Sequence, residues 1–423
     1  MTADPAPADP GDPGDPGVGR PLAVPAFRWF FTAEVTSALG SAGSGIALAF
    51  AVLDISGSAA AVGWVAAAST VPMVTLMLLG GAVADRLPRT LVLRGTNATM
   101  FVVRSLAAVL VLSGHAEVWQ LVVLQLVAGT TEALGYPAFH GMIPVLLPPQ
   151  RRKAGYLLFS QAQSATRIVG PAAVGLVVAT VGAGWAMAFD ALTYLLAAGF
   201  LGLLRLPRGE RAAARSSVLR DLADGWAFAR RLGWVLPVSS YSLVFNALIA
   251  GGIGVLGPVI AADTIGSDGW GVARSGQAVG VILAAWLLGR AAAARLVHRP
   301  LVAAIAGFGV TGLPVLALGL GAGTVVLTLA FGAAGAGFAL IDVAWGLVVA
   351  EKVPEEMLSR IQSIDGFFSF VGMPVGELLV GPLAVAFSTR SVELGLFALF
   401  VAATVAGLSR PALRRVELGS SPT

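Results

Sequence analysis

The chain contains no cysteine and only three histidines. The missing cysteines exclude disulfides, iron–sulfur clusters and thiolate metal sites. His115, His140 and His298 lie far apart in the sequence, without the short spacing that metal-binding histidines share. We therefore expect neither a metal site nor a cofactor.

Charged side chains are also scarce. They make up 12% of the 423 residues, whereas a soluble globular protein carries about a quarter. Hydrophobic residues reach 57% and the mean hydropathy is +0.84. The 53 glycines suit helices that pack closely in lipid. This composition predicts an all-α polytopic membrane protein whose surroundings are the lipid bilayer.

Two further classes of function are excluded by what the sequence lacks. The net charge of +4 would suit a nucleic-acid partner, but the basic residues flank apolar runs instead of forming one stripe. The sequence contains neither a Gly-Lys-Ser/Thr phosphate loop nor a Gly-x-Ser-x-Gly turn. We therefore expect no nucleic-acid partner, no enzyme, and no direct use of ATP.

Long apolar runs dominate what is present. Runs of about 20 such residues predict membrane-spanning helices. Twelve are predicted, and we number them 1 to 12 along the chain, at 27–52, 59–84, 91–113, 117–145, 154–180, 184–204, 234–261, 268–294, 300–320, 323–351, 358–387 and 391–410.

The orientation follows from lysine and arginine, which concentrate in cytoplasmic loops. Nearly all of these residues lie in the tails and in the loops after even-numbered helices. The opposite loops are expected to hold only Arg390 and Arg274 among the bases. Their expected acids are Asp54, Glu117, Asp263, Asp268 and Glu393. We thus expect a multi-pass protein of the cell membrane with both termini in the cytoplasm.

The predicted helices divide six and six around the longest polar stretch between them. The expected parts are a disordered cytoplasmic tail at 1–25, a six-helix bundle at 26–204, a cytoplasmic linker at 205–233, a second six-helix bundle at 234–410 and a cytoplasmic tail at 411–423. Apolar residues recur at helical spacing in the linker, which predicts an amphipathic helix on the membrane surface. A plain tether is the alternative.

A short charged turn separates helices 2 and 3. It reads Gly80-Gly81-Ala82-Val83-Ala84-Asp85-Arg86-Leu87-Pro88-Arg89. A weaker version recurs at 287–299, and with a similar offset Gly170 falls on Gly376 and Gly175 on Gly381. Several matches at one offset indicate two similar halves.

The turn, with its pattern G-x-x-x-D-R-x-x-R, resembles the loop signature of the major facilitator superfamily of secondary transporters. The resemblance covers 26–412 and is greatest to the twelve-span drug and siderophore exporters, through Gly170-Pro171 and Gly175 in helix 5 and Pro374-x-Gly376 in helix 11. It implies two pseudo-symmetric six-helix bundles, a small-molecule substrate, export driven by protons, and a monomer. The chain departs from this pattern at Gln125, where such exporters often carry arginine, and at Thr166 and Val174, where they carry glycine.

The resemblance also implies a conformational gate. Asp85 would lie against the positive N-terminal end of helix 11. Arg86 and Arg89 would add ion pairs, and Gly80 and Gly81 would let helices pack closely at the pivot. Alternatively, Arg86 and Arg89 serve only as topology signals.

Ionisable residues inside membrane helices are expected to be paired or functional. The resemblance places helices 3, 6, 9 and 12 away from the central cavity, so Arg104 and Asp190 are interpreted as a packing pair. Glu34, Glu132, Arg167 and Asp342 are the candidates for proton coupling or the substrate cavity. Glu132 and Arg167 lie near the bilayer midplane on consecutive antiparallel helices and are expected to pair, although a purely structural salt bridge is the alternative.

The substrate is the least determined feature. Aromatic residues expected in the cavity favour amphipathic organic compounds, and these are Trp64, Tyr136, Tyr241, Phe245, Trp345, Phe367, Phe368 and Phe370. An importer of a metabolite by symport, or a receptor or scaffold on the same fold, remain as alternatives.

Overall fold

The structure is a computed structural model, and it describes residues 21–84, 88–204, 226–288 and 298–418. Long helices occupy most of these ranges. Part of the predicted loop turn, most of the predicted linker and the repeat of the turn at 289–297 lie outside the described residues.

Within the described ranges, twelve long helical segments follow the predicted order, with ends close to the predicted ones. In the first half, helix 1 is Pro25–Ser41 with Ser44–Ser56, and helices 2 to 6 are Ala59–Ala84, Arg89–Leu112, Val118–His140, Pro149–Val181 and Ala183–Gly202. In the second half, helix 7 is Val235–Ile249 continued to Thr264, helix 9 is Pro300–Thr311 with Leu313–Gly319, and helices 8, 10, 11 and 12 are Gly266–Leu288, Thr324–Lys352, Glu355–Phe387 and Thr389–Ser409.

Eleven of the described helices are long and apolar enough to cross a membrane. Helix 5 is the remaining one. It has 33 residues, its first turn contains Gln150, Arg151 and Arg152, and its described apolar stretch includes Val169–Val181. These findings agree with the expected all-helical, twelve-span fold.

Helix 7 changes its winding midway. Ala250–Leu256 forms a π-helix between two α-helical parts, and three of its seven residues are glycine. A π-helical turn inside an α-helix leaves the regular hydrogen-bond ladder locally and often marks a functional position. This segment contributes to the central cavity described below.

The packing joins two six-helix bundles along two seams. Within the first bundle, helix 2 packs on helix 4, and helix 6 packs on helices 1 and 3; within the second, helix 10 packs on helices 8 and 9, and helix 11 on helix 7. Between the bundles, helix 2 packs on helix 11 and helix 5 packs on helix 8. We call these two contacts the 2–11 seam and the 5–8 seam.

The glycines that the sequence repeat makes equivalent occupy equivalent places in the two halves. A methyl group at Gly175 would overlap the backbone of Gly271 in the 5–8 seam, and one at Gly381 would overlap Ala60 in the 2–11 seam. Within the bundles, one at Gly170 would overlap Ala42 of helix 1, and one at Gly376 would overlap the Ala247 carbonyl of helix 7. The repeat therefore reflects real pseudo-symmetry.

Several arginines bind the C-terminal ends of even-numbered helices. Arg89 donates to the carbonyl of Gly141, which caps helix 4. Arg94 donates through Nε to the carbonyl of Leu201 at 2.9 Å and through Nη2 to that of Leu204 at 2.9 Å, at the end of helix 6. A cation is stabilised there because the last carbonyls of a helix lack partners and carry the negative end of its dipole.

Six residues assigned to loops from the sequence lie inside helices instead: Asp54, Asp263, Asp268, Arg274, Arg390 and Glu393. Arg274 and Glu393 lie furthest from a helix end. Arg274 belongs to helix 8, which begins at Gly266, and Glu393 belongs to helix 12, where it is 0% exposed. Both lie about one to two turns from a helix start. The predicted helices, which begin at 268 and 391 against 266 and 389, already contain both positions, so the loop assignment followed from the charge of these residues and not from the helix limits.

Candidate functional site

A central cavity of about 370 Å³ lies between the two bundles. Its described lining comes from helices 1, 2, 4, 5, 7, 8 and 11, and most of it is aliphatic. Its most polar lining residues are Ser69, Gln125, Arg274 and Glu377. Since both bundles contribute walls, any movement of one bundle against the other changes the shape of this cavity.

Glu377 forms a hydrogen bond between the two bundles at the wall of this cavity. Its side chain on helix 11 accepts a hydrogen bond from the hydroxyl of Thr70 on helix 2 at 2.5 Å. Glu377 is 6% exposed, and close by a methyl group at Gly63 would overlap its backbone carbonyl oxygen. The 2–11 seam thus combines close backbone contact at Gly63 with the hydrogen bond between Thr70 and Glu377.

Arg274 is the cation described in this cavity lining. Its Nη1 donates to Oε1 of Gln277 at 3.0 Å, and its guanidinium lies 5.1 Å from the ring centroid of Phe331 on helix 10. A guanidinium over an aromatic face is stabilised by the ring quadrupole. The sequence analysis missed this residue, although its position inside an otherwise apolar run was a usable signal.

A second cavity of about 300 Å³ lies within the first bundle. Its described lining comes from helices 1, 2, 3, 4 and 6 and shares no residue with the described lining of the central cavity. It contains both Glu34 and Glu132, together with Asn97, Tyr136 and Tyr194. We call it the carboxyl cavity. Two carboxyl groups from different helices in one cavity of this size are an arrangement suited to binding a proton or a cationic group.

A chain of polar side chains runs between the two cavities. Gln125 of the central cavity accepts a hydrogen bond from Nη1 of Arg104 through Oε1 at 3.1 Å, and Arg104 Nε lies 3.2 Å from Oδ2 of Asp190. The Ser41 hydroxyl lies 3.1 Å from Oδ1 of Asp190 and 2.9 Å from the hydroxyl of Tyr194, which lines the carboxyl cavity. Arg104 and Asp190 are 6% and 0% exposed.

The pairing of Arg104 with Asp190 agrees with the sequence interpretation, and neither residue belongs to the described lining of either cavity. Breaking such a buried pair by removing one partner typically costs about 3–5 kcal/mol, because the other charge is left without a partner. The pair is reached from the central cavity through Gln125, at the position where the chain departs from the exporter pattern. Where the exporter pattern has an arginine, this chain therefore has Gln125, and Gln125 is hydrogen-bonded to Arg104 of helix 3.

The candidate coupling residues do not all come together. Glu34 and Glu132 share the carboxyl cavity. The side chain of Arg167 lies outside the described residues, so its pairing with Glu132 stays a prediction. Asp342 has an exposed side chain on helix 10 and is absent from the described lining of both cavities.

The predicted gate is only partly described. Gly80 and Gly81 belong to the last turns of helix 2, and Arg89 caps helix 4 within the same bundle. Asp85 and Arg86 lie outside the described residues. In helix 5, Pro171 lines the central cavity, and Gly170 and Gly175 make the contacts given above.

The expectation of an aromatic central cavity is wrong for the described lining. Trp270 is its one aromatic member. Tyr241 and Phe245 are buried in the second bundle instead, where Phe245 stacks on Phe308 at a centroid distance of 4.6 Å. Neither the direction nor the partners of an aromatic ring follow from its helix alone, because nearly every face of these helices is apolar.

Comparison with known proteins agrees with this architecture. The family model for transmembrane secretion effectors matches residues 18–421. The multidrug efflux pump Tap of Mycolicibacterium fortuitum is 27% identical over 408 residues, which cover 92% of this chain and 97% of that protein. Macrolide efflux protein A of Streptococcus pyogenes is 22% identical over 364 residues, covering 84% of this chain and 88% of that protein.

Solved structures show the same fold at lower identity. A nucleoside transporter, NupG, superposes with a TM-score of 0.67 at 15% identity over 95% of this chain and 100% of that one. An auto-inhibited peptide transporter of the POT family gives a TM-score of 0.72 at 12% identity over 94% and 99% of the two chains. The chain therefore belongs to the transmembrane secretion effector family, and it is a major facilitator superfamily transporter, not an enzyme.

Proposed function

We propose that this transporter is a proton-driven exporter of drug-like, antibiotic or siderophore-like small molecules that works by alternating access in the cell membrane. The observation that carries the proposal is the central cavity, whose walls come from both bundles. The protein works as a monomer with both termini in the cytoplasm.

The lining of the cavity supports an amphipathic organic substrate. Aliphatic side chains make most of its surface, and a few polar groups are placed among them. Sites of this kind bind organic molecules through apolar contact and orient them through the few polar groups. The relatives whose names describe efflux of several drugs and of macrolides support the same substrate class and the outward direction.

Alternating access is supported by the two seams. Their glycine contacts lie where helices 2 and 8 begin and helices 5 and 11 end, which is one face of the membrane because successive helices alternate in direction. We infer that opening these seams exposes the central cavity to that face, opposite to the predicted cytoplasmic side. Asp85, as the predicted gate residue, holds the other face closed in the alternate state, with Arg86 supporting it.

Proton coupling is assigned to the carboxyl cavity. Glu34 and Glu132 provide two groups that bind or release a proton as the cavity opens to one side or the other. Arg167 is the proposed cationic partner of Glu132, and Asp342 is the counterpart candidate in the second bundle.

The direct test is expression in an efflux-deficient bacterium and a broad compound panel. We expect raised tolerance to several amphipathic compounds and a lower steady-state accumulation, both removed by a proton ionophore. Cells with the empty vector are the control. Raised accumulation would contradict export and support the importer, and unchanged transport with the ionophore would contradict proton coupling.

A further inference from the structure

The polar side chains between the two cavities form one unbroken series. Gln125, Arg104, Asp190, Ser41 and Tyr194 come from helices 4, 3, 6, 1 and 6, and each consecutive pair is 2.9–3.2 Å apart. Gln125 faces the central cavity, and Tyr194 faces the carboxyl cavity. Polar groups buried in a membrane helix bundle are costly unless they have partners, and three of these five, Gln125, Arg104 and Asp190, are buried.

The number of hydroxyl hydrogens decides which groups in the series donate and which accept. A serine hydroxyl carries a single hydrogen, yet Ser41 lies within bonding distance of two oxygens. Both contacts are satisfied when Tyr194 donates to Ser41 and Ser41 donates to Asp190, which is an acceptor when charged. A change at Tyr194 therefore alters the hydrogen bond to Asp190, because it reorients the Ser41 hydroxyl that lies between them.

Arg104 decides what the series can transmit. A guanidinium is not deprotonated in proteins, so no proton passes along the series to the central cavity. Arg104 instead donates a hydrogen bond to Gln125 and forms an ion pair with Asp190. Glu132 and Tyr194 line the same cavity, so a change of charge on Glu132 acts on the series at its Tyr194 end.

Helix 1 has the shape that this connection needs. It approaches helix 6 closely at Gly40, where a methyl group would overlap Thr193 and contact Asp190, and its first α-helical part ends at Ser41. The Ser41 side chain can therefore reach Asp190 and Tyr194 from a point where the helix is interrupted. The charged and titratable groups in the described lining of the carboxyl cavity and in the series are Glu34, Arg104, Glu132, Tyr136, Asp190 and Tyr194.

We propose that these five side chains form a coupling chain through which protonation in the carboxyl cavity changes the polar contacts offered to substrate by Gln125 in the central cavity. The inference rests on the proposed function and deepens it, since it names the positioning residues that link the proton to the substrate. A change of charge on Glu132 alters the hydrogen bond that Tyr194 makes to Ser41, because Glu132 and Tyr194 line the same cavity. The Ser41 hydroxyl then reorients at Asp190, and Asp190 sets the position of Arg104 and of its hydrogen bond to Gln125.

The test uses the absence of cysteine and needs no known substrate. Ser69→Cys places one thiol in the lining of the central cavity, and its rate of reaction with N-ethylmaleimide is measured on the purified protein at pH 6 and pH 8. Ser58→Cys, outside the cavity, corrects for thiol ionisation. We expect the corrected ratio of rates to differ from one by about fivefold, a typical size for coupling between two sites.

The coupling chain is then interrupted by a substitution at either end. Tyr194→Phe removes only the phenol hydroxyl, and Gln125→Leu removes the amide at the other end. Each is expected to bring the corrected ratio close to one, and the double variant is expected to do no more, because one cut already interrupts the chain. Ser41→Ala provides an independent cut if either variant folds poorly. Tyr156→Phe, an exposed tyrosine on helix 5, is the matched control and should behave as the parent.

Three results would each overturn the coupling chain. They are additive effects of Tyr194→Phe and Gln125→Leu, unchanged ratios in both variants, and a parent protein whose corrected ratio does not depend on pH. Proton-driven efflux of ethidium is measured on the same proteins to judge the proposed function separately. Absent efflux alongside the expected thiol pattern counts against export and leaves the coupling chain standing. Normal efflux with an unaltered thiol pattern in the cut variants counts against the coupling chain alone.

Discussion

Among individual side chains, Glu132 is the proposed residue for proton coupling. It shares the carboxyl cavity with Glu34 and Tyr194. We expect Glu132→Gln to abolish efflux driven by a pH gradient and to spare downhill exchange, because the amide keeps the shape of the side chain but cannot exchange a proton. Transport in vesicles with and without the gradient measures both.

Glu117→Gln provides the matched control on the same helix. Glu117 is exposed at the start of helix 4, and glutamine keeps an acceptor for the cap it forms. This variant should transport as the parent does. A Glu132→Gln protein that still concentrates substrate against a gradient would remove Glu132 from the coupling mechanism and leave it a structural role.

Between whole helices, the 2–11 seam depends on the absence of a side chain at Gly63. A methyl group there would overlap the Glu377 carbonyl oxygen, and overpacking of this kind costs about 1–3 kcal/mol. We expect Gly63→Ala to bias the protein toward the state in which this seam is open. Transport should slow, and a cysteine at Ala66 in the central cavity should react faster with an impermeant thiol reagent from outside.

Gly366→Ala controls for the change in helix propensity. Gly366 lies on helix 11, where an added methyl group meets no atom within 4 Å. Both substitutions favour the helix by a similar amount, so only the seam contact differs. Equal labelling of the two variants would show that the seam is not the closed side of the transporter.

For the molecule as a whole, the predicted orientation gives a labelling pattern. Single cysteines at Ser58 and Ser113 should react with an impermeant thiol reagent from outside, whereas cysteines at Ser216 and Ser420 should not. Gly114 and Gly266 are poor positions because both have φ of +72°, which strains any other residue. The opposite pattern would reverse the assigned orientation and with it the side on which the seams open.

The order and approximate limits of the helices could be predicted from sequence because each apolar run must match the thickness of the bilayer. The two similar halves were also predictable, since Gly175 and Gly381 make equivalent contacts. The cavity lining was not. Which residues face a cavity depends on the rotation of each helix about its axis, and helices that are apolar on every face carry almost no signal for it.

Arg274 and Glu377 show this limit. Both are visible in the sequence as ionisable residues, but their shared cavity arises from helices 8 and 11, which meet only through tertiary packing. Phe245 shows the reverse case. Its helix was correctly predicted, whereas the ring faces Phe308 and Phe400 in the second bundle.

The separateness of the two cavities has a pharmacological consequence. The carboxyl cavity of about 300 Å³ is large enough for a small organic fragment and shares no described lining residue with the central cavity. A fragment lodged between Glu34 and Glu132 would act on the proposed proton coupling without displacing the transported compound. Such an inhibitor would lower the maximal rate even at saturating substrate, so raising the drug dose would not overcome it.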